Sequence, residues 1–232
     1  EMEGDMLRDF LGGNITVATR WLDKKGDPNA FHPGTGWTPA MMAVSFGNME
    51  VLELLFDRHA NLQLGSKMTG ETVAHLSLYK NQTDMMHKVL ELNSHSVMES
   101  KLDGSTTLLT SVERSPPRVR DEMVRKLLES NADPNVKRKD GWSPLSMAIR
   151  ENYRYCVKMM VAARGDVMAE VPGDYDPPLT VWELSSKHPG LQDLIRSKLT
   201  SKDLTAIEKR WPGSLGTRRR DQDVEDEEYD ED

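Results

Sequence analysis

Apolar and polar positions along this chain follow one pattern that recurs at a nearly fixed interval. In GWTPAMMAVSFG, residues 36–47, a hydroxyl side chain and a proline precede small or apolar residues at helical spacing, and a glycine closes the segment. Similar segments are GETVAHLSLYKN at 70–81, GSTTLLTSVERS at 104–115 and GWSPLSMAIREN at 141–152. Their first glycines lie 34, 34 and 37 residues apart (36, 70, 104, 141), which is the period range of a solenoid array.

Each copy predicts a short helix at its start. Thr38 is a helix N-cap hydroxyl, and Pro39 takes the first helical position, where a missing N–H has no cost. Gly47 supplies the left-handed residue that ends this helix after about two turns. In the fourth copy the same signals are Ser143, Pro144 and Asn152.

A second helix follows the first, beginning near Glu50 in the first copy. Its apolar stripe is predicted to be Val51, Leu54 and Leu55, and the third copy repeats it with Val124, Leu127 and Leu128. Turn-forming segments come next, KGDPNAF at 25, HANLQL at 59 and NADPNV at 131. Each unit is therefore helix, turn, helix and extended loop.

In this order the residues resemble the ankyrin repeat, and NADPNVKRKDGWSPLSMA at 131–148 is the segment most similar to the family's consensus. The resemblance covers roughly residues 5–200. It implies an all-α fold, a right-handed ankyrin-repeat solenoid of helix-turn-helix units joined by short β-hairpin-like loops. Such folds serve unrelated pathways, so the family alone does not name a partner.

Three regions are predicted along the chain. Residues 1–200 form the array, with about four full and two terminal repeats. Residues 201–212 form an amphipathic helix that caps the stack or, alternatively, serves as a peptide for a partner. Residues 213–232 form an acidic tail expected to be disordered. Two insertions, SPPRVR at 115–120 and PGDYDPP at 172–178, are predicted as stiff loops.

Two departures from the family pattern concern hydrogen bonding. Only the second copy keeps the family's histidine, His75, so hydrogen bonds between turns are expected to be fewer elsewhere. The corresponding residues of the other copies are Met41, Leu109 and Ser146. Asn29 and Asn135 occupy the asparagine position of the loop, and each is expected to satisfy the backbone of its own turn.

Charge is concentrated at the end of the chain. The formal net charge is −8, and residues 218–232 hold three arginines and nine acidic residues, a net of −6, so the rest sums to −2. The acidic balance argues against direct nucleic-acid binding. The tail is a candidate contact for a basic protein.

A search for catalytic, cofactor-binding and metal-binding constellations yields none. The six histidines lack the H-E-x-x-H spacing, and no G-x-S-x-G elbow or phosphate-binding glycine loop is present. The single cysteine, Cys156, occupies the position of the buried Val51 and is expected to be a structural thiol. The sequence therefore predicts a protein that is not an enzyme and needs no cofactor.

The resemblance instead implies a protein-binding surface on the concave side of the array, formed by hairpin tips and the exposed ends of the first helices. Instead of contacting a partner, Trp37 and Trp142 could pack over a neighbouring hairpin. Likewise, Lys80, Arg150 and Glu151 could form only a solvated face. Leu102, Ser105 and Glu113 also fall at these positions. The principal partner-binding candidates are Trp37, Ser45, Phe46, Met68, Glu71, Tyr79, Lys80, Arg114, Lys139, Trp142, Arg150 and Glu151.

The function expected from these features is that of a scaffold or adaptor that binds a partner protein. Two alternatives stay open: a targeting module of a larger enzyme or channel, and a chaperone or assembly factor whose acidic tail holds a basic client. We expect a monomer. We expect it in the cytoplasm or nucleus, because no signal peptide or long apolar run is present. The sequence does not identify the partner.

Overall fold

The computed structural model describes residues 14–80, 82–93, 101–174, 178–213 and 215. The described chain contains twelve helices and, apart from isolated bridges, no β-strand. The helices are α1 (Ile15–Asp23), α2 (Pro39–Ser45), α3 (Met49–Asp57), α4 (Val73–Tyr79), α5 (Thr83–Leu92), α6 (Thr107–Arg114), α7 (Pro117–Glu129), α8 (Pro144–Arg150), α9 (Arg154–Ala162), α10 (Val181–Ser185), α11 (Leu191–Arg196) and α12 (Ser201–Arg210).

The helices form two layers within residues 14–198. The inner helices α2, α4, α6, α8 and α10 pack side by side in chain order. Each is followed by an outer helix that packs against it, and outer helices of successive repeats also contact one another. The all-α solenoid predicted from the repeat is therefore the observed architecture.

Local signals in the sequence set the start and end of the inner helices. The Thr38 hydroxyl accepts the backbone N–H of Met41, and the Ser143 hydroxyl accepts that of Ser146, so both caps form as predicted. Gly47 and Asn152 adopt positive φ angles of 72° and 56° after α2 and α8. A left-handed residue ends these helices because it turns the chain out of the helical path.

The buried stripe of the outer helices differs by one residue from the prediction. In α3, Val51 and Leu55 are fully buried together with Leu52, whereas Leu54 is half-buried. In α7, Val124 and Leu127 are buried as predicted, Met123 is buried as well, and Leu128 is half-buried. The stripe is tilted because the outer helix packs on its own inner helix and on the next outer helix together.

Hairpin-like loops connect the repeats and are joined to one another. Within one loop the Ser66 N–H donates to the Glu71 carbonyl at 2.8 Å. Between loops the Lys67 N–H donates to the Gly36 carbonyl at 3.1 Å, and the Lys139 N–H donates to the Asp103 carbonyl at 2.9 Å. These bonds fix the loops as a row along one side of the inner helices.

The insertion at 115–120 is not a loop, contrary to the prediction. Pro116 is the N-cap of α7 and Pro117 its first residue, so the inserted residues form the first turn of a 13-residue helix. Proline suits this position because the first helical N–H needs no partner. The second insertion lies partly outside the described residues, which omit 175–177.

The asparagine of the loop also behaves differently from the prediction. The Asn29 side chain accepts the Asn61 N–H at 2.6 Å and donates to the His59 carbonyl at 3.4 Å, both in the next repeat. Asn135 makes the equivalent pair of bonds, with Asp166 and Arg164. The hydrogen bond within the turn is made instead by an aspartate two residues earlier. In the first of these loops, the Asp27 carboxylate accepts the Asn29 N–H.

Residues 199–232 form a second unit. Its helix α12 begins after Thr200, whose hydroxyl accepts the Asp203 N–H, and ends before Trp211. The role of α12 as a cap stays a prediction. Apart from Gly213 and Leu215, the acidic tail lies outside the described residues, as does the predicted start of the array at residues 1–13. None of the described helices is both long and apolar enough to cross a bilayer.

Candidate protein-binding surface

Equivalent positions of successive repeats line up on one surface, which we call the inner face. It comprises the hairpin tips (34–37, 68–71, 102–105 and 139–142) and the C-terminal ends of the inner helices (45–46, 79–80, 113–114 and 150–151). All twelve principal candidates fall in these ranges. Because α2, α4, α6 and α8 pack side by side, candidates that are far apart in the sequence become neighbours.

Large apolar side chains are exposed on the inner face. Phe46 at the end of α2 is 60 % exposed, and the hairpin residues Met68 and Leu102 are 68 % and 60 % exposed. Met68 and Leu102 each precede a hairpin glycine by two residues, in adjacent repeats. Exposed apolar side chains grouped on one face are typical of a surface that another molecule covers.

Tyr79 is less accessible than the sequence suggested. Its hydroxyl accepts a hydrogen bond from the Lys101 ammonium, which also lies 4.7 Å from the centroid of the tyrosine ring. The Glu71 carboxylate is also near this lysine, 3.7 Å from Lys101 Nζ. Burial lowers the pKa of Lys101, and burial together with Glu71 raises the pKa of Tyr79. The three side chains form a fixed link between the second and third repeats.

A second link joins the third and fourth repeats. The Arg138 guanidinium donates to both carboxylate oxygens of Glu113, at 2.8 and 3.0 Å, and also binds Asp140 at 2.7 and 3.0 Å. The hydrogen bonds from Arg138 hold the pKa of Asp140 below its usual range. One guanidinium thus binds two carboxylates, one on each repeat, and the three charged groups keep a net charge of −1.

The fourth repeat carries an aromatic and charged group. The Arg150 guanidinium lies 4.7 Å from the centroid of the Trp142 ring and donates to Glu151 at 2.8 Å. Beside it an open cleft of about 420 Å³ separates the ends of α6 and α8. Its lining includes Glu113, Arg114, Arg138, Arg150, Glu151 and Tyr153.

Three other candidate cations differ from Arg150, which is paired with Glu151. Lys80, Arg114 and Lys139 are exposed, and their side chains form no ion pair within the described part of the chain. Trp37 and Ser45 are half-buried, so part of each is accessible. Ser105 is 1 % exposed, and its carbonyl accepts a hydrogen bond from His75, so its side chain is not available to a partner.

Sequence reasoning missed the residues that organise this face. Lys101, Asp103 and Arg138 gave no signal in the sequence beyond their charge. Their partners are 22 or more residues away in the sequence, for example Lys101 with Tyr79 and Arg138 with Glu113. Only the stacking of repeats brings them together.

Outside the inner face, the described residues show neither a metal-binding group nor a reactive thiol. Across the residues that the structure describes, no group of three or more histidine, cysteine or acidic side chains is placed to hold a metal ion. Cys156 is buried, and burial together with its bond to Asp121 raises the pKa of the thiol to about 12. The thiol is therefore protonated at neutral pH, as expected of a structural cysteine.

Comparisons with known proteins agree with this architecture. Residues 9–56 match the family described as ankyrin repeats (many copies). An ankyrin repeat protein of Fowlpox virus (strain NVSL) is 26 % identical over 155 residues, which are 64 % of this chain and 44 % of the viral protein. Ankyrin repeat and SAM domain-containing protein 6 of Danio rerio is 29 % identical over 154 residues, 63 % of this chain and 19 % of the fish protein.

The chain spans less than half the length of these two relatives. The similarity in each case extends over several repeats, because an alignment of 154 or 155 residues exceeds four periods of 34. The family match over residues 9–56, these similarities and the stacked helix pairs agree on the fold, which is an all-α solenoid of ankyrin repeats.

Proposed function

We propose that this chain is a scaffold that binds a partner protein against its inner face. Ankyrin repeats are protein–protein interaction modules, and the inner face is where this chain offers suitable side chains. The observation that carries the proposal is the exposure of Phe46, Met68 and Leu102 on neighbouring repeats. Covering such side chains removes apolar surface from water, which is a major favourable term in association.

The rigidity of the inner face supports the same function. Its loops are joined by backbone hydrogen bonds, and Lys101 and Arg138 tie adjacent repeats together. A surface ordered before binding loses little conformational entropy when a partner docks. Four of its five carboxylates are paired with cations, which suits recognition better than proton transfer. We place the protein in the cytoplasm or nucleus, where a free thiol such as Cys156 is stable.

A matched pair of double variants tests this function. The inner variant is Met68→Ser with Leu102→Ser, and the control is Ile15→Ser with Tyr155→Ser, which removes two exposed apolar side chains from the outer helices α1 and α9. A partner is first captured on the wild-type chain and identified by mass spectrometry. The purified partner is then titrated against all three chains by calorimetry.

We expect the inner variant to weaken binding by about tenfold or more, because two central contacts are typically worth about 1 kcal/mol or more each. The outer variant should bind within about twofold of wild type, and both should melt at the wild-type temperature. Equal affinities for the inner variant and wild type would rule out the inner face as the binding surface.

A further inference from the structure

We propose that the inner face selects an acidic peptide segment, whose carboxylates bind Lys80, Arg114 and Lys139 while its apolar side chains cover Met68 and Leu102. This inference rests on the function proposed above and specifies the chemistry of the partner.

The carboxylates of the inner face are already occupied. Glu113 and Asp140 bind Arg138, and Glu151 binds Arg150. Glu71 accepts a hydrogen bond from the Thr69 hydroxyl and lies near Lys101, and Asp103 accepts two from Ser105. Each carboxylate of this face thus accepts a hydrogen bond or lies near a cation, although Asp103 has no ion-pair partner within the described residues.

Together with Lys101 and Arg138, which bind its carboxylates, the inner face has six cations and five carboxylates. Lys80, Arg114 and Lys139 remain exposed after the internal pairs are formed, and none of them forms an ion pair within the described residues. These side chains sum to a net charge of +1, although the whole chain carries a net charge of −8. A locally positive surface on an acidic chain attracts negative segments selectively.

These cations lie on successive repeats. Lys80 and Arg114 each follow a hairpin glycine by ten residues, at the ends of α4 and α6, and Lys139 is at the hairpin tip of the next repeat. Packed helices are about 8–10 Å apart, so the cations are spaced at roughly that interval along the array. An extended peptide advances about 3.3 Å per residue, so about ten residues cover three repeats.

Apolar contacts distinguish a peptide from a nucleic acid as the occupant. Met68 and Leu102 are 68 % and 60 % exposed at the tips of the hairpins, and Leu102 directly follows Lys101. A peptide can offer carboxylates and aliphatic side chains together, whereas a phosphate backbone meets only the cations. The partner segment is accordingly acidic with interspersed leucine-like residues.

Fluorescence anisotropy with defined peptides tests this inference. The probe is a labelled peptide of about ten residues that alternates Glu and Leu, compared with Gln/Leu and Lys/Leu peptides and a single-stranded DNA of the same length. The inner charge variant is Lys80→Glu, Arg114→Glu and Lys139→Glu. The control is Lys24→Glu, Arg118→Glu and Lys158→Glu, which changes the net charge equally at exposed cations outside the inner face.

We expect wild type to bind the Glu/Leu peptide most tightly, the inner charge variant to bind it about tenfold or more weakly, and the control to bind within about twofold. Raising the ionic strength from about 0.05 M to about 0.3 M should weaken the wild-type complex, because these charges are exposed. Equal loss in both variants, tighter DNA binding, or no binding of the Glu/Leu peptide would overturn the inference.

Different outcomes contradict the proposed function and the proposed selection of an acidic peptide. If the inner apolar variant loses the captured partner and the inner charge variant does not, the inner face binds a protein but acidic selection is wrong. If neither variant affects that partner, the proposed function itself is wrong.

Discussion

The imidazole of His75 joins two repeats, because its Nε2 lies 3.0 Å from the carbonyl oxygen of Ser105 in the next hairpin. Its Nδ1 accepts the Thr72 N–H at 3.3 Å, so the proton of the neutral ring is on Nε2. The side chain is completely buried, and burial lowers its pKa from 6.5 to about 4.

Stability should therefore fall as the pH drops from 6.5 towards 4. In this range the unfolded chain takes up a proton on His75 that the folded chain does not, so protonation favours unfolding. The free energy of unfolding should decrease by about 2 kcal/mol between pH 7 and pH 5. Urea unfolding at both pH values measures this change.

Two histidine variants separate the contribution of His75 to the pH dependence of stability from those of other titratable groups. His75→Gln should remove most of the pH dependence, whereas His59→Asn, at an exposed left-handed position, should retain it. An unchanged pH slope in His75→Gln would contradict the assignment.

The close approach of neighbouring hairpins makes Gly70 sensitive to substitution. A Cβ at Gly70 would meet the Leu102 backbone nitrogen at 2.5 Å, and its φ is +67°. Gly47 has a similar φ of +72°, but a Cβ there would meet only the end of the Gln82 side chain, at 3.3 Å. Gly47→Ala thus serves as a control for the backbone conformation alone.

We expect Gly47→Ala to cost about 1 kcal/mol of unfolding free energy and Gly70→Ala about 2 kcal/mol or more, because the second also forces hairpins apart. Thermal and urea unfolding of the two variants give the difference. Equal destabilisation would mean that the hairpins can separate at no cost.

The link between Glu113 and Arg138 should contribute to stability. Both side chains are about one-fifth exposed, at 20 % and 18 %, so solvent screens their interaction only partly. Arg138→Met should destabilise by about 1–2 kcal/mol, because Glu113 loses both of its hydrogen bonds.

A double-mutant cycle with Glu113→Gln isolates this pair. We expect a coupling energy of about 1 kcal/mol from urea unfolding of the four chains. A coupling near zero would show that the paired geometry does not stabilise the fold.

The bridging asparagines should matter more than an asparagine in a local turn. Asn135→Ala removes hydrogen bonds to the Asp166 N–H and the Arg164 carbonyl and should cost about 1–2 kcal/mol. Asn61→Ala removes only a local bond to the Gln63 N–H and should cost less than about 1 kcal/mol. Chemical denaturation ranks the two, and the reverse order would argue against the bridging role.

Several local features could be predicted from the sequence because they depend on residues within one turn of each other. The Thr38 and Ser143 caps are interactions between positions three apart, and they form as expected. Substitution of the family histidine is also partly compensated locally, since Met41 Sδ accepts the Thr38 N–H and Ser146 Oγ accepts the Ser143 N–H. Among the four equivalent positions, His75 alone is seen to bond to the next hairpin in the described chain.

Features that depend on contacts between repeats were predicted less well. Leu54 was expected in the buried stripe and Leu52 takes its place, because the stripe faces two helices at once. The prolines at 116 and 117 were interpreted as a loop, although proline equally begins a helix. Tyr79 was expected to point away from the stack, but it is half-buried and its hydroxyl accepts a hydrogen bond from Lys101 of the following repeat, while its contact with a partner stays a prediction.

By itself the sequence determined the repeat period and the start and end of the inner helices, since these follow from local spacing and backbone preference, and the family resemblance implied the surface. Only the tertiary structure decided which charges on that surface are neutralised and which remain exposed. Within the described residues Lys101 and Arg138 are paired while Lys80, Arg114 and Lys139 are not, although all five are cations near a hairpin or a helix end. The physical reason is that ion pairing depends on distances of a few ångströms between residues of different repeats, and the stacking of those repeats sets the distances.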